Sequence, residues 1–124
     1  IMANGLKVYY LPFLALATPS GTTTVPTIIG TFPIYRNIFI REGIEIVHGH
    51  QCTSNMCMEA LIHARTMGIR CCFTDHSLFG FADSAGIHIN KVIKFALADA
   101  DHIISVSHTS KENIVLRSFL NPYK

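Results

Sequence analysis

No charge dominates this chain. Ten Lys and Arg stand against eight Asp and Glu, a net of +2 over 124 residues, and the basic residues form no cluster. A face able to track a phosphate backbone is therefore missing, which argues against nucleic acid as a partner. Long apolar runs are missing too. Nothing approaches the roughly 18 residues that a spanning helix needs, and the apolar start at 8–17 is broken by Pro12 with no basic segment before it. Neither a membrane span nor a secretion signal is expected within these residues. The cysteines, Cys52, Cys57, Cys71 and Cys72, lack the paired spacing of a zinc ribbon. They read as small buried hydrophobes in a reducing compartment. There is no internal repeat and no low-complexity tract.

What remains is a composition that is 49% apolar, enough for one modest core around a buried α/β sheet. Residues 6–11, LKVYYL, are rich in β-branched and aromatic side chains and stop at Pro12, which predicts a strand. A Thr, Gly and Pro loop over 18–27 follows. Thr31 offers an N-cap with Pro33 in the first turn, and Phe32, Tyr35 and Phe39 share one face of a helix that Glu42 and Gly43 end. Ile34, Ile38 and Ile40 make its other faces apolar, so more than one side should be covered. A strand at 44–47 precedes a helix at 53–68, with a stripe of Cys57, Ala60, Leu61, Ala64 and Met67 and with Gly68 as its cap. Next come a strand at 69–74, IRCCFT, and a helix at 87–98 with Ile89, Val92, Ile93 and Ala96 inward and Lys91 and Lys94 outward. A fourth strand spans 101–106, and a last helix begins near Ser110, where Thr109 and Glu112 have capping-box spacing. Strands alternating with helices imply an α/β fold, a Rossmann-like parallel sheet with flanking helices, because parallel neighbours need right-handed helical crossovers.

Ligands of such sheets bind beyond the carboxyl ends of the strands. The residues there are His48 and His50, then Asp75, His76 and Ser77, then Ser105, Ser107 and His108. Three successive units bring hydrogen-bonding side chains to one sheet edge, which makes that edge the candidate site. His63 and His88 fall off the buried stripes of their helices and His102 lies at the opposite edge, so no role is expected of them. His48 and His50 form an H-x-H like the first metal motif of the amidohydrolases. That likeness requires a (β/α)₈ barrel of about 200 residues or more, so no metal is expected. The loop at 75–84, DHSLFGFADS, sets Leu78, Phe79 and Phe81 around Gly80, beside His76 and Asp83. It is either a loop tucked on its own aromatics or an apolar wall for a small molecule, with His76 as the proton-handling or hydrogen-bonding group.

Three stretches in order, VHGHQCTSNMCMEALIHARTMGIR (47–70), FTDHSLFGFAD (73–83) and HIISVSHTSKENIVLR (102–117), resemble the PIG-A family, the catalytic subunits of phosphatidylinositol N-acetylglucosaminyltransferase. The similar motifs run over 44–120, and the earlier VYYLP also fits. The resemblance implies a retaining GT-B glycosyltransferase that moves GlcNAc from UDP-GlcNAc to phosphatidylinositol, the first step of GPI-anchor biosynthesis. It implies work on the cytoplasmic face of the endoplasmic reticulum membrane, within a complex of other transferase subunits. Such enzymes hold the acceptor mainly in an N-terminal Rossmann-like domain and the nucleotide-sugar in a C-terminal one. They need no metal or other cofactor, because basic groups stabilise the departing diphosphate. By motif, His76 would line the gap between donor sugar and acceptor, and His50 would border the same cleft. Ser107 and Thr109 would order the next helix start, while Ser77, Phe79, Gly80, Phe81 and Asp83 would shape the acceptor side. His48 could equally be structural. The family's opening strand and glycine-rich loop, its donor domain and its membrane segment have no counterpart in these residues. Residues 1–124 are therefore expected to be part of the acceptor-side domain, inactive alone and reaching the membrane through the complex or a segment elsewhere. Two other readings stand beside this one: a noncatalytic interaction module of the same complex, and a metal-dependent hydrolase.

Overall fold

The structure, a computed structural model, describes residues 4–18, 21–78 and 84–123. A hairpin of β1 (Ala15–Thr18) and β2 (Gly21–Thr24) opens it, followed by α1 (Ile28–Glu42), β3 (Ile46–His50), α2 (Asn55–Thr66), β4 (Arg70–Asp75), α3 (Ser84–Leu97), β5 (His102–Ser105) and α4 (His108–Ser118). Strands β3, β4 and β5 form a parallel sheet in that order, with Ile46 beside Arg70 and Cys72 beside His102. The expected α/β architecture is present, with three parallel strands rather than four among the described residues.

The predicted strand at 6–11 is the one that does not form. A strand exists through its pairing, and these residues find side-chain anchors at the end of α1 instead. Lys7 pairs with the Glu42 carboxylate, and the Tyr9 hydroxyl donates to Glu42 Oε1 at 2.5 Å. Those bonds, Lys7 first, hold the Glu42 carboxyl down at about 2. The stretch read as a loop at 18–27 contains β2, whose Thr23 and Thr24 pair with Leu16 and Ala15. β-branched threonines suit a pleated ladder once a partner strand is adjacent.

Helix α1 starts at Ile28, a turn earlier than predicted, so Pro33 lies inside it and Thr31 is no cap. Its N-cap, Thr27, makes no side-chain capping bond. Glu59 from α2 supplies one from across the interface, with Oε1 accepting from the Thr27 N–H at 2.7 Å and Oε2 from the Thr31 hydroxyl at 2.7 Å. The C-terminus is where the sequence put it: Gly43 at φ 60 donates to the Ile40 and Phe39 carbonyls.

Helix α2 is the centre of the core. The predicted stripe residues Leu61 and Ala64 are buried, and Cys57 and Leu61 lie over Gly49 of β3. The other flank packs on α1, which buries Glu59 and His63 as well. His63 is thus no surface residue: its Nε2 sits 3.1 Å from Thr31 Oγ1 and its ring lies 5.1 Å from that of Phe32. On α3, Ile93 and Ala96 point inward as predicted, whereas Val92 is exposed and the side chain of Ile89 lies outside the described residues. Helix α4 begins at His108, capped by Ser107, whose hydroxyl accepts from the Ser110 N–H at 3.1 Å. The expected Thr109 cap is superseded because Ser107 has the extended backbone of an N-cap.

Stepping one strand at a time in one direction with right-handed crossovers puts α2 and α3 on the same face of the sheet. Residues alternate accordingly. Gly49, Cys71, Phe73 and Asp75 face that helical layer and are buried, while Ile46, His48, His50 and Ile104 face the other way and are exposed or half-buried. No described helix covers this second face.

Candidate active site at the carboxyl edge of the sheet

Period-two alternation aims His48 and His50 to the uncovered face, two residues apart along β3. Their rings lie 4.4 Å apart between centroids. His48 Nε2 is 2.7 Å from Thr74 Oγ1 on the neighbouring strand, which fixes its ring across the ladder. Just past the end of β4, His76 brings its Nε2 to 3.0 Å from His50 Nδ1, with the rings stacked at 22° and 5.3 Å. One of those nitrogens must donate and the other accept, so the facing pair shares a single proton. Two strand ends therefore present an exposed, coupled imidazole pair in front of a histidine locked to Thr74.

The intervening residue is a glycine for a packing reason. A Cβ on Gly49 would point into α2, 3.2 Å from Leu61 Cδ1 and well inside the radius of Cys57 Sγ. Just beyond the pair, Gln51 holds φ 71, a left-handed conformation uncommon for a residue with a Cβ. Its N–H donates to the Thr74 carbonyl at 3.2 Å. This strained turn swings the chain from His50 into the N-cap of α2, Ser54, which accepts from the Cys57 N–H.

Beneath the pair lies a second polar group facing the helical layer. Asp75, Ser77, Ser110 and Cys52 are all buried there. The Ser77 N–H donates to Asp75 Oδ1 at 3.2 Å. Burial pushes the Asp75 carboxyl up from its usual range, opposed by the Ser77 N–H and by the side chains of Cys52, Ser77 and Ser110. The same burial lifts the Cys52 thiol to about 11 and Cys57 to about 12, so neither is a thiolate nucleophile at neutral pH.

Of the sequence-predicted site residues, the structure unites His50 and His76. Ser77 is buried beside Asp75 rather than open to the cleft. Ser107 caps α4 and lines a groove of about 620 Å³ along β5, together with His102, Ser105, Lys111 and Tyr123. Phe79, Gly80, Phe81 and Asp83 lie outside the described residues. Thr74, Gln51 and the buried position of Asp75 were not anticipated. Thr74 was readable as polar within an apolar strand, but a non-glycine left-handed turn at Gln51 carries no sequence signal. Among the described residues, no group of three His, Cys, Asp or Glu side chains is placed to hold a metal ion, and no helix is long and apolar enough to cross a membrane.

Residues 1–83 match the family model described as PIGA (GPI anchor biosynthesis). The chain belongs to the PIGA family. That match takes in both strand ends of the histidine cluster, His48, His50 and His76, but stops short of Ser107. Curated proteins resembling the chain include the phosphatidylinositol N-acetylglucosaminyltransferase gpi3 subunit of Schizosaccharomyces pombe, 57% identical over 98% of this chain. Proteins bearing the same transferase name are 59% identical over 99% of the chain in Arabidopsis thaliana, and 50% identical over 98% in Homo sapiens. The chain spans about a quarter of the length of these relatives, 26%, 27% and 24% respectively. No solved structure matches it.

Proposed function

We infer that this chain is part of the acceptor-side Rossmann-like domain of a retaining glycosyltransferase that transfers GlcNAc from UDP-GlcNAc to phosphatidylinositol. Membership of the PIGA family supports the reaction class, and relatives covering nearly the whole chain carry the transferase name. The observation that supports the site is the His50–His76 pair, hydrogen-bonded at the carboxyl edge of a parallel sheet, where such sheets bind ligands. Nothing in the pair requires a covalent role. His76 positions and polarises the attacking inositol hydroxyl by accepting its hydrogen bond, and His50 holds the His76 ring in place. The donor is held by a second domain elsewhere in the protein, with basic groups opposite the diphosphate. Phe79, Gly80, Phe81 and Asp83 shape the acceptor side, and Ser107 fixes the start of α4 at its margin. Other transferase subunits assemble with it on the cytoplasmic face of the endoplasmic reticulum membrane.

The test is GlcNAc transfer from labelled UDP-GlcNAc to phosphatidylinositol in transferase-deficient membranes supplied with the complete protein. His76→Ala should lower transfer by about 10²-fold or more, the range of one acid–base or polarising group, with complex assembly unchanged. His50→Ala should lower it less. Full transfer by the His76 variant would remove the site assignment. The uncovered sheet face favours one second reading, a noncatalytic docking module. Complex assembly by the complete protein with no transfer under any condition would select it.

A further inference from the structure

The two faces of the β4 end divide labour: His76 serves the exposed side, while its neighbour Asp75 turns into the protein. Asp75 is 1% exposed, and it aligns with Ser105 of β5 in the sheet register. Buried with it are Cys52, two residues after His50; Ser77, one after His76; and Ser110, three after Ser107. Cys52 and Ser77 belong to the connections after β3 and β4, and Ser110 to the first turn of α4. Ser77 is bonded to Oδ1 through its backbone N–H. The Ser77 and Ser110 hydroxyls are buried beside the carboxylate, and neither completes a hydrogen bond with any described group. A buried carboxylate is costly to place, and burial of this kind is tolerated where it fixes geometry.

We propose that Asp75 is a positioning residue: its carboxylate, accepting from the Ser77 N–H, clamps the turn that presents His76, and so sets the His50–His76 distance. The link is short. Asp75 and His76 share a peptide bond, and the Ser77 N–H to Oδ1 bond closes a turn with His76 at its tip. Loss of the clamp frees that turn, and a shift of about 1 Å at a reacting group lowers turnover without lowering affinity for a substrate bound mainly elsewhere. Glu59, the other buried carboxylate among the described residues, is committed to α1 by its bonds to Thr27 and Thr31.

The assignment rests on the transferase reading above, and a double-mutant cycle in the complete enzyme, assembled in its complex, separates the two. Asp75→Ala should lower kcat by about tenfold or more with the KM for UDP-GlcNAc little changed. In a His76→Ala background the same substitution should change kcat by less than about twofold, because its effect passes through His76. Losses that multiply would overturn the proposal while leaving His76 its role. A His76→Ala enzyme with full activity would overturn both. Should Asp75→Ala fail to accumulate, Asp75→Leu, which fills the space but offers no acceptor, replaces it in the cycle. Asn keeps an oxygen for the Ser77 N–H, so Asp75→Asn should retain most of the activity. Equal loss in the Asn and Ala variants would contradict a clamp made through that bond.

Discussion

Gly49 shows how one absent side chain positions a site. It lets α2 approach β3 so closely that Cys57 and Leu61 rest on the backbone between His48 and His50. Adding a methyl group forces either the helix or the strand to move, at a cost of about 1–3 kcal/mol. Gly49→Ala should therefore lower the unfolding midpoint of the complete protein and weaken transfer, although no polar atom has been touched. Thermal melting checks it; an unchanged midpoint would mean that α2 can slide. The thiols offer a second residue-scale expectation. Burial raises Cys52 and Cys57 to about 11 and 12, so neither should react with iodoacetamide at pH 7.5 until the domain unfolds. Mass-spectrometric mapping of alkylated cysteines reads this directly.

At the scale of elements, the α1–α2 contact is built around Glu59, Thr31 and His63 rather than around the apolar stripes alone. Glu59 provides the cap that α1 lacks locally, placing a carboxylate at a helix N-terminus. Glu59→Ala leaves the Thr27 N–H and the Thr31 hydroxyl without this acceptor, a loss of about 1–3 kcal/mol. Faster amide exchange in the first turn of α1, with β4 unaffected, is the expected signature. His63 adds a pH dependence. Burial lowers its pKa below 6.5, so the unfolded state takes the proton more readily than the folded one. The stability it contributes is intact above about pH 6.5 and falls as pH drops through the lower folded value. Midpoints measured from pH 7.5 to pH 5 should show this decline, and His63→Gln should flatten it. The apolar period identified α1 and α2 as helices, but it assigned His63 to the surface. A helix covered on two flanks has two buried stripes, and one stripe is all that a single period marks.

Among the described residues, the parallel sheet is covered by helices on one side. Ile46 and Ile104 are 57% and 41% exposed on the sheet face opposite the helices, with Val106 at 58% just beyond β5. Apolar surface of this kind is a contact surface. The 124-residue chain alone should self-associate at micromolar concentration. Sedimentation velocity checks this, and Ile46→Lys combined with Ile104→Lys should shift the distribution toward monomer. A monomer without those changes would mean that the uncovered face is compatible with water.

Alternating apolar periods, turn residues and the polar strand ends were enough to reveal an α/β chain with its site at the carboxyl edge, because these are local properties written at fixed spacing. The VHGHQ and FTDHS motifs named the residues that meet there. Pairing and burial are not local. Whether 6–11 forms a strand depends on a neighbour to bond with, and Lys7 and Tyr9 bond Glu42 instead. Whether Asp75 looks outward with His76 or inward with Ser110 depends on which face the helices cover. Those outcomes follow from how distant segments meet, which the free energy of the packed chain settles and the order of residues along it does not display.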